Sequence, residues 1–181
     1  VFEDPALAKA RPDLAIKDSK TGKVWKDRNN LSWVDPTSQE VWDYNIAIAE
    51  DALSRGFDEI NFDYIRFPTD GDLEALSYPF YLGKTLKADE IEKFFAYLDE
   101  HLHKTPDVKI SADIFGLSIV DKDDLGIGQI MENALAHFDY VDPMIYPSHY
   151  AAGFIGYKSP ASYPYEVVKY SLDQGMARLQ A

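Results

Sequence analysis

The sequence predicts an α/β domain, an incomplete (β/α)8 barrel of TIM type holding roughly strands three to six with their helices. Three observations lead there. Short apolar runs alternate with longer segments of helical period, which is the signature of parallel βα units. Carboxylates recur near the ends of the strand-like runs, where barrels build their sites. The 181 residues fall short of the roughly 250 a closed barrel takes. An open doubly wound sheet would fit the length, but no Gly-rich phosphate loop follows a strand. No repeat or linker divides the chain, so residues 1–181 read as a single domain, entered in mid-barrel.

Taken in order, Val1-Phe2 reads as the tail of an earlier strand. Residues 13–27 form an excursion, in which the runs 14–17 and 23–26 flank Asp18-Ser19-Lys20-Thr21-Gly22, turn-forming residues that suggest a small hairpin. Thr37-Ser38-Gln39-Glu40 matches a capping box, followed by Val41, Ile48, Ala49 and Ala52 on one helical face until Gly56. Residues 57–67 are aromatic and β-branched and close at Pro68, as a strand would. Ile91, Phe94, Phe95, Leu98 and Leu102 give the next helix, with Asp89 and Glu90 at its dipole-favoured start. Residues 108–115 are a second strand. Ile127, Ile130, Met131, Ala134 and Leu135 make a third helix, residues 140–146 a third strand, and Val168, Leu172, Met176 and Leu179 a last helix.

Composition narrows the chemistry. The 46% hydrophobic content suits a packed core, and Lys+Arg 18 against Asp+Glu 31, a net charge of −13, disfavours nucleic acid and anionic lipid as partners. Zero cysteines remove thiolate nucleophiles, disulfides and thiolate metal ligands together. No apolar run approaches the ~18 residues of a membrane span. Metal-binding spacings such as His-Glu-x-x-His are absent, as is Gly-x-Ser-x-Gly, so no metal or other cofactor is expected.

Polar residues remain to be explained on strands that should be apolar on both faces. Asn61 and Asp63 share one face of the first strand, Ser111 and Asp113 of the second, and Tyr140, Asp142 and Tyr146 of the third. Arg66 lies on the loop side of Asp63, where a fixed cation would favour an ionised carboxylate. His149 alone of the four histidines sits on a strand-following loop; His101 and His103 read as a helix's polar face, His137 as a helix end and Asp139 as a strand boundary. Trp25, Trp33, Tyr78, Phe80, Tyr81, Tyr146, Tyr150 and Tyr157 fall in predicted loops, where flat faces can stack on sugars. Two carboxylates on adjacent strand ends fit glycosidic bond cleavage.

Three ordered motifs carry a family likeness: residues 56–68 (GFDEINFDYIRFP), 111–116 (SADIFG) and 142–150 (DPMIYPSHY). Together with residues 1–5 and 33–36, they make the chain resemble the bacterial glycosyl hydrolase domain family long catalogued as a domain of unknown function. The resemblance implies a TIM-type barrel related to alpha-amylase-like glycosidases, with Asp63 ending the fourth strand as nucleophile or charge stabiliser. Asp113 would end the fifth as general acid/base, where the wider group usually has Glu. It further implies a longer complete domain, an exported or cell-envelope setting and a polysaccharide substrate. The expected substrate-binding residues are Arg66, Tyr64, Asn61, Asp142, Tyr146, His149 and Tyr150. The alternative is a non-catalytic polysaccharide-binding barrel domain in which the aromatic residues carry affinity; a third expectation is that this stretch alone is inactive.

Overall fold

The structure, a computed structural model, describes residues 1–180 and is a mixed α/β domain around a three-stranded parallel sheet. Helix α1 (Pro5–Ala10) is capped by the Asp4 carboxylate, which accepts the Leu7 N–H at 2.8 Å. Strand β1 (Lys17–Asp18) lies outside the main sheet and pairs antiparallel with β3 (Leu76–Ser77). In the turn that follows β1, the Asp18 carboxylate accepts the Lys20 and Thr21 N–H groups, each at 2.8 Å, and Gly22 takes the positive φ of 70° that the turn requires. The main sheet runs in the order β2 (Glu59–Phe62), β4 (Lys109–Phe115), β5 (Tyr140–Met144), with α2 (Gln39–Ser54) before β2, and α3 (Lys87–Leu102) and α4 (Met131–Leu135) in the crossovers. Helix α5 (Pro164–Leu179) follows β5.

The alternation in β4 sets the layers. Ile110, Ala112 and Ile114 are fully enclosed on one face, against the helix layer in which α3 buries Ile91, Phe94, Phe95, Leu98 and Leu102. These residues join Phe2, Trp33, Phe62 and Phe67 in one core. The other face of the sheet carries the polar side chains. Val1-Phe2 borders the end of β2, the Phe2 N–H donating to the Tyr64 carbonyl at 3.2 Å.

Several expectations change. The capping box does not form: α2 begins at Gln39, Ser38 makes no side-chain cap, and Thr37 donates from both N–H and hydroxyl to Asp35 while Glu40 pairs with Arg11. Asp35, enclosed, outcompetes the box because it also holds the Phe80 and Tyr81 N–H groups. Ile48 is exposed, and α2 instead buries Val41, Trp42, Asn45, Ile46 and Ala49. The first main strand is far shorter than residues 57–67 because Tyr64 turns to φ 54° and leaves the ladder. The third helix starts at Met131, after Gly128 at φ 86°, rather than at Ile127.

The largest change is in α5. The predicted face of Val168, Leu172, Met176 and Leu179 is offset by one residue from the buried face of Val167, Ser171 and Gly175. Leu172, Met176 and Leu179 are about half exposed and line an apolar groove shared with Met131 and Val141. Gly175 decides the rotation: a Cβ built there would lie 3.3 Å from the Ile119 side chain, so glycine permits the close approach. Arg178 then reaches the Glu132 carboxylate with Nε and Nη2, and the Ser118 and Asp121 carbonyls with Nη1.

Ion pairs close the N-terminal end of the parallel sheet. Asp139, just before β5, accepts from Lys109 Nζ at 2.7 Å, the Ile110 N–H at 3.0 Å and His103 Nε2 at 3.0 Å. His103 Nδ1 lies 2.6 Å from Asp99, which also meets His137 at 3.2 Å. Lys109, then the Ile110 N–H and His103, hold the Asp139 carboxyl well below the usual carboxylate range.

Candidate active site

The opposite end of the sheet is built by register. Asn61 pairs with Ser111 and Asp113 with Asp142; the β2 ladder ends with Phe62 opposite Ala112, and Asp63, the next residue, is near enough for its charge to act on Asp113. Three carboxylates thus stand in a row across three strand ends. Behind them Asn61 Nδ2 donates to Ser111 Oγ at 3.0 Å, and Ser111 Oγ donates to Glu59 at 2.7 Å. Burial pushes the Asp113 carboxyl above its ordinary range, and the Asp63 and Asp142 charges push the same way, against hydrogen bonding from Asn61.

Beyond the strand ends lies a cavity of about 300 Å³, at the small end of ligand sites. Asp63, Tyr64, Arg66, Tyr146, His149 and Tyr150 all line it, six of the nine residues the sequence singled out. Asn61, Asp113 and Asp142 are not in its lining; they sit on the polar sheet face beneath. The Tyr64 N–H donates to Asp63 Oδ1 at 2.6 Å, and Tyr64 itself takes a left-handed backbone at φ 54°, its ring 5.9 Å from that of Trp33. A bulky residue held there is strained, and such strain concentrates at functional sites. Tyr146 and His149 meet edge to face at 5.1 Å between ring centroids. Tyr150 is buried, its hydroxyl engaged with Ser171 Oγ of α5 at 3.0 Å, so its ring rather than its hydroxyl forms the wall.

Arg66 does not form an ion pair with Asp63. It packs under Trp33, Tyr64 and Phe115, its guanidinium carbon 5.0, 5.0 and 4.7 Å from the three ring centroids. Trp25 and Trp33 are core residues, 3% and 2% exposed, and present no face to a sugar. Tyr78, Phe80 and Tyr81 belong to a separate loop cluster around Phe67 and Asp35.

Sequence reasoning missed Phe115, Gly116, Leu117 and Met144 in the lining. Gly116 carried a signal, as a glycine directly after a strand. A Cβ there would lie 2.7 Å from the Met144 carbonyl oxygen and 2.9 Å from both the Ile145 Cα and the Tyr150 hydroxyl. Gln129, enclosed, was missed as well: it accepts the Phe115 N–H at 2.9 Å and reaches the Ile65 and Asp113 carbonyls at 3.5 Å, tying the two carboxylate-bearing segments together. No His, Asp and Glu group suited to hold a metal ion occurs among the described residues.

The family model described as "Putative glycosyl hydrolase domain" matches residues 1–181. The chain belongs to this family. Among solved structures, the domain is similar to a hypothetical protein from Ruminiclostridium thermocellum ATCC 27405, at 40% identity over 70% of the chain with a TM-score of 0.53. It spans 56% of that protein's length. A second structure, the alpha-galactosidase TtGalA from Thermus thermophilus in complex with stachyose, is 18% identical over 78% of this chain and 25% of its own, with a TM-score of 0.47. No curated protein matches the domain. Among the described residues no helix is long and apolar enough to cross a membrane.

Proposed function

We propose that this glycosyl hydrolase domain cleaves glycosidic bonds in an extracellular or envelope polysaccharide, as part of a TIM-type barrel, with Asp113 as general acid/base and Asp63 as nucleophile or charge stabiliser. The observation that carries the reading is the row of Asp63, Asp113 and Asp142 on adjacent parallel strand ends, in which the middle carboxyl is driven toward its protonated form. A carboxyl that keeps its proton above the usual range can deliver it to the leaving oxygen, and a second carboxylate beside it can meet the cationic sugar centre. Tyr64, Tyr146, His149 and Tyr150 would hold the sugar ring, and Asn61 and Asp142 would orient Asp113. Neighbouring strands about 4.8 Å apart favour the carboxyl separation of ~5 Å used by retaining enzymes, so the product should keep its anomeric configuration.

The competing reading, a non-catalytic polysaccharide-binding domain, draws on the absence of Asp113 from the cavity lining. Reducing-end release from a polysaccharide panel, with pull-down on the same panel, separates the two. Asp63→Asn and Asp113→Asn should each abolish release and spare binding; release that survives both substitutions, or no release by the wild type with binding dominated by Tyr146, overturns the catalytic reading.

A further inference from the structure

Two guanidinium groups in this chain are almost wholly buried, and they are treated differently. The Arg178 side chain, 9% exposed, gives Nε and Nη2 to the Glu132 carboxylate and Nη1 to two backbone carbonyls. Arg66, 7% exposed, has only Nη1 engaged, donating to the Phe67 carbonyl at 3.1 Å and to Thr69 Oγ1 at 3.4 Å. It forms no ion pair among the described residues, in a chain with 31 acidic groups to choose from. Glu3, Asp63 and Asp70 face it from beyond pairing distance, and burial is the dominant influence on its charge.

Leaving a buried charge without a carboxylate is costly unless something else meets it. Three aromatic rings supply part of that, and they also fix the plane of the guanidinium. The Nε–Nη2 edge keeps its three N–H donors unassigned. These atoms are not sealed in, since among the described residues the only fully enclosed side-chain polar atoms without partners are Tyr78 Oη and Ser118 Oγ. Arg66 lines the cavity together with Asp63. Where Arg178 gives its Nε and Nη2 to a carboxylate, the same two atoms of Arg66 have no protein partner among the described residues.

We propose that the missing partner is supplied by the substrate: the cavity takes a sugar residue bearing an anionic group, a uronic acid carboxylate, held in the fork of Arg66. The proposal rests on the reading of this cavity as a sugar site, and it narrows the substrate to acidic polysaccharides. A planar carboxylate matches the two parallel N–H bonds of a guanidinium edge, as Glu132 does on Arg178. Asp63 and the overall charge of −13 oppose anions at long range, so recognition must come from this one contact rather than from a basic surface.

The test is calorimetric or NMR titration of the chain with glucuronate and galacturonate, with their methyl esters, with glucose and galactose, and with sulfate at matched ionic strength. The expected result is that uronates bind at least about tenfold more tightly than the esters and neutral sugars. Arg66→Gln should remove that preference, and Arg66→Lys should restore only part of it. The ester comparison needs no variant, so it stands even if Arg66→Gln fails to fold. Equal binding of ester and acid, an undiminished preference in Arg66→Gln, or no uronate binding overturns the proposal. Sulfate binding as tightly as the uronates would overturn the carboxylate assignment in favour of a sulfated sugar. Because the readout is binding, failure of the Asp113→Asn turnover test would remove the glycosidase reading and leave this result untouched.

Discussion

At the N-terminal end of the parallel sheet, Asp139 accepts from Lys109, the Ile110 N–H and His103; at the C-terminal end, Asp113 faces Asp63 and Asp142 while Arg66 pairs with no carboxylate among the described residues. The same side-chain types stand at both ends, a few residues apart along the same strands. At one end Asp139 and Asp99 meet Lys109, His103 and His137, and the groups knit α3 to the starts of β4 and β5. At the other, like charges are crowded and the Arg66 guanidinium is caged by aromatic rings. Saturated pairs lower the energy of the fold, whereas unsaturated ones keep capacity for a ligand, and perturbed carboxyls of this kind mark candidate sites. The difference between the ends sets a paired, fold-holding cluster at one against the candidate site at the other.

The contrast can be broken most sharply at Asp113. Asp113→Asn should lower turnover by about 10²- to 10⁴-fold while thermal unfolding stays level or rises, since the substitution removes a crowded charge. In the wild type, the loss of activity on raising pH should begin above the ordinary Asp value of about 3.9, because burial and then Asp63 raise the Asp113 pKa. Next is Gly116→Ala, which should cost about 1–3 kcal/mol in denaturant titration because the added methyl meets backbone that cannot step aside. Asp139→Asn should do the converse of Asp113→Asn, losing about 1 kcal/mol of stability with turnover unchanged. The smallest effect is a pH dependence. Asp99 and then Asp139 raise the His103 pKa, so its stabilisation is complete below the unfolded value of about 6.5 and fades as pH rises through the higher folded value. Melting curves across that window should show a decline that His103→Gln removes.

These two ends were unequally legible in the sequence. Alternation placed Asp63, Asp113 and Asp142 on one face, because the period of a strand is fixed by backbone geometry. The order of β2, β4 and β5 followed from the βα rhythm. The paired end did not show itself: His103 read as a helix's polar face and Asp139 as a boundary residue, since their partnership spans 36 positions of sequence. Arg66 was placed beside Asp63 by proximity along the chain, but the φ of 54° at Tyr64 turns the backbone between them. In α5 the hydrophobic residues pointed to the wrong face. There a glycine and an arginine with four hydrogen bonds outweighed three apolar side chains, a choice that no hydropathy pattern contains.

The Tyr150 hydroxyl on Ser171 has a consequence in time. One wall of the cavity is a buried tyrosine whose seat lies on α5, and α5 is itself fastened by Arg178 to the carbonyls of Ser118 and Asp121. During synthesis the chain emerges N-terminus first at about 5–20 residues per second. Asp63 and Asp113 are thus exposed well before the segment that completes their surroundings, and the pocket can close only once Arg178 has cleared the ribosome. The cavity is therefore completed by α5 rather than by the strands that carry the carboxylates, and a nascent chain holds both acids before their wall is in place.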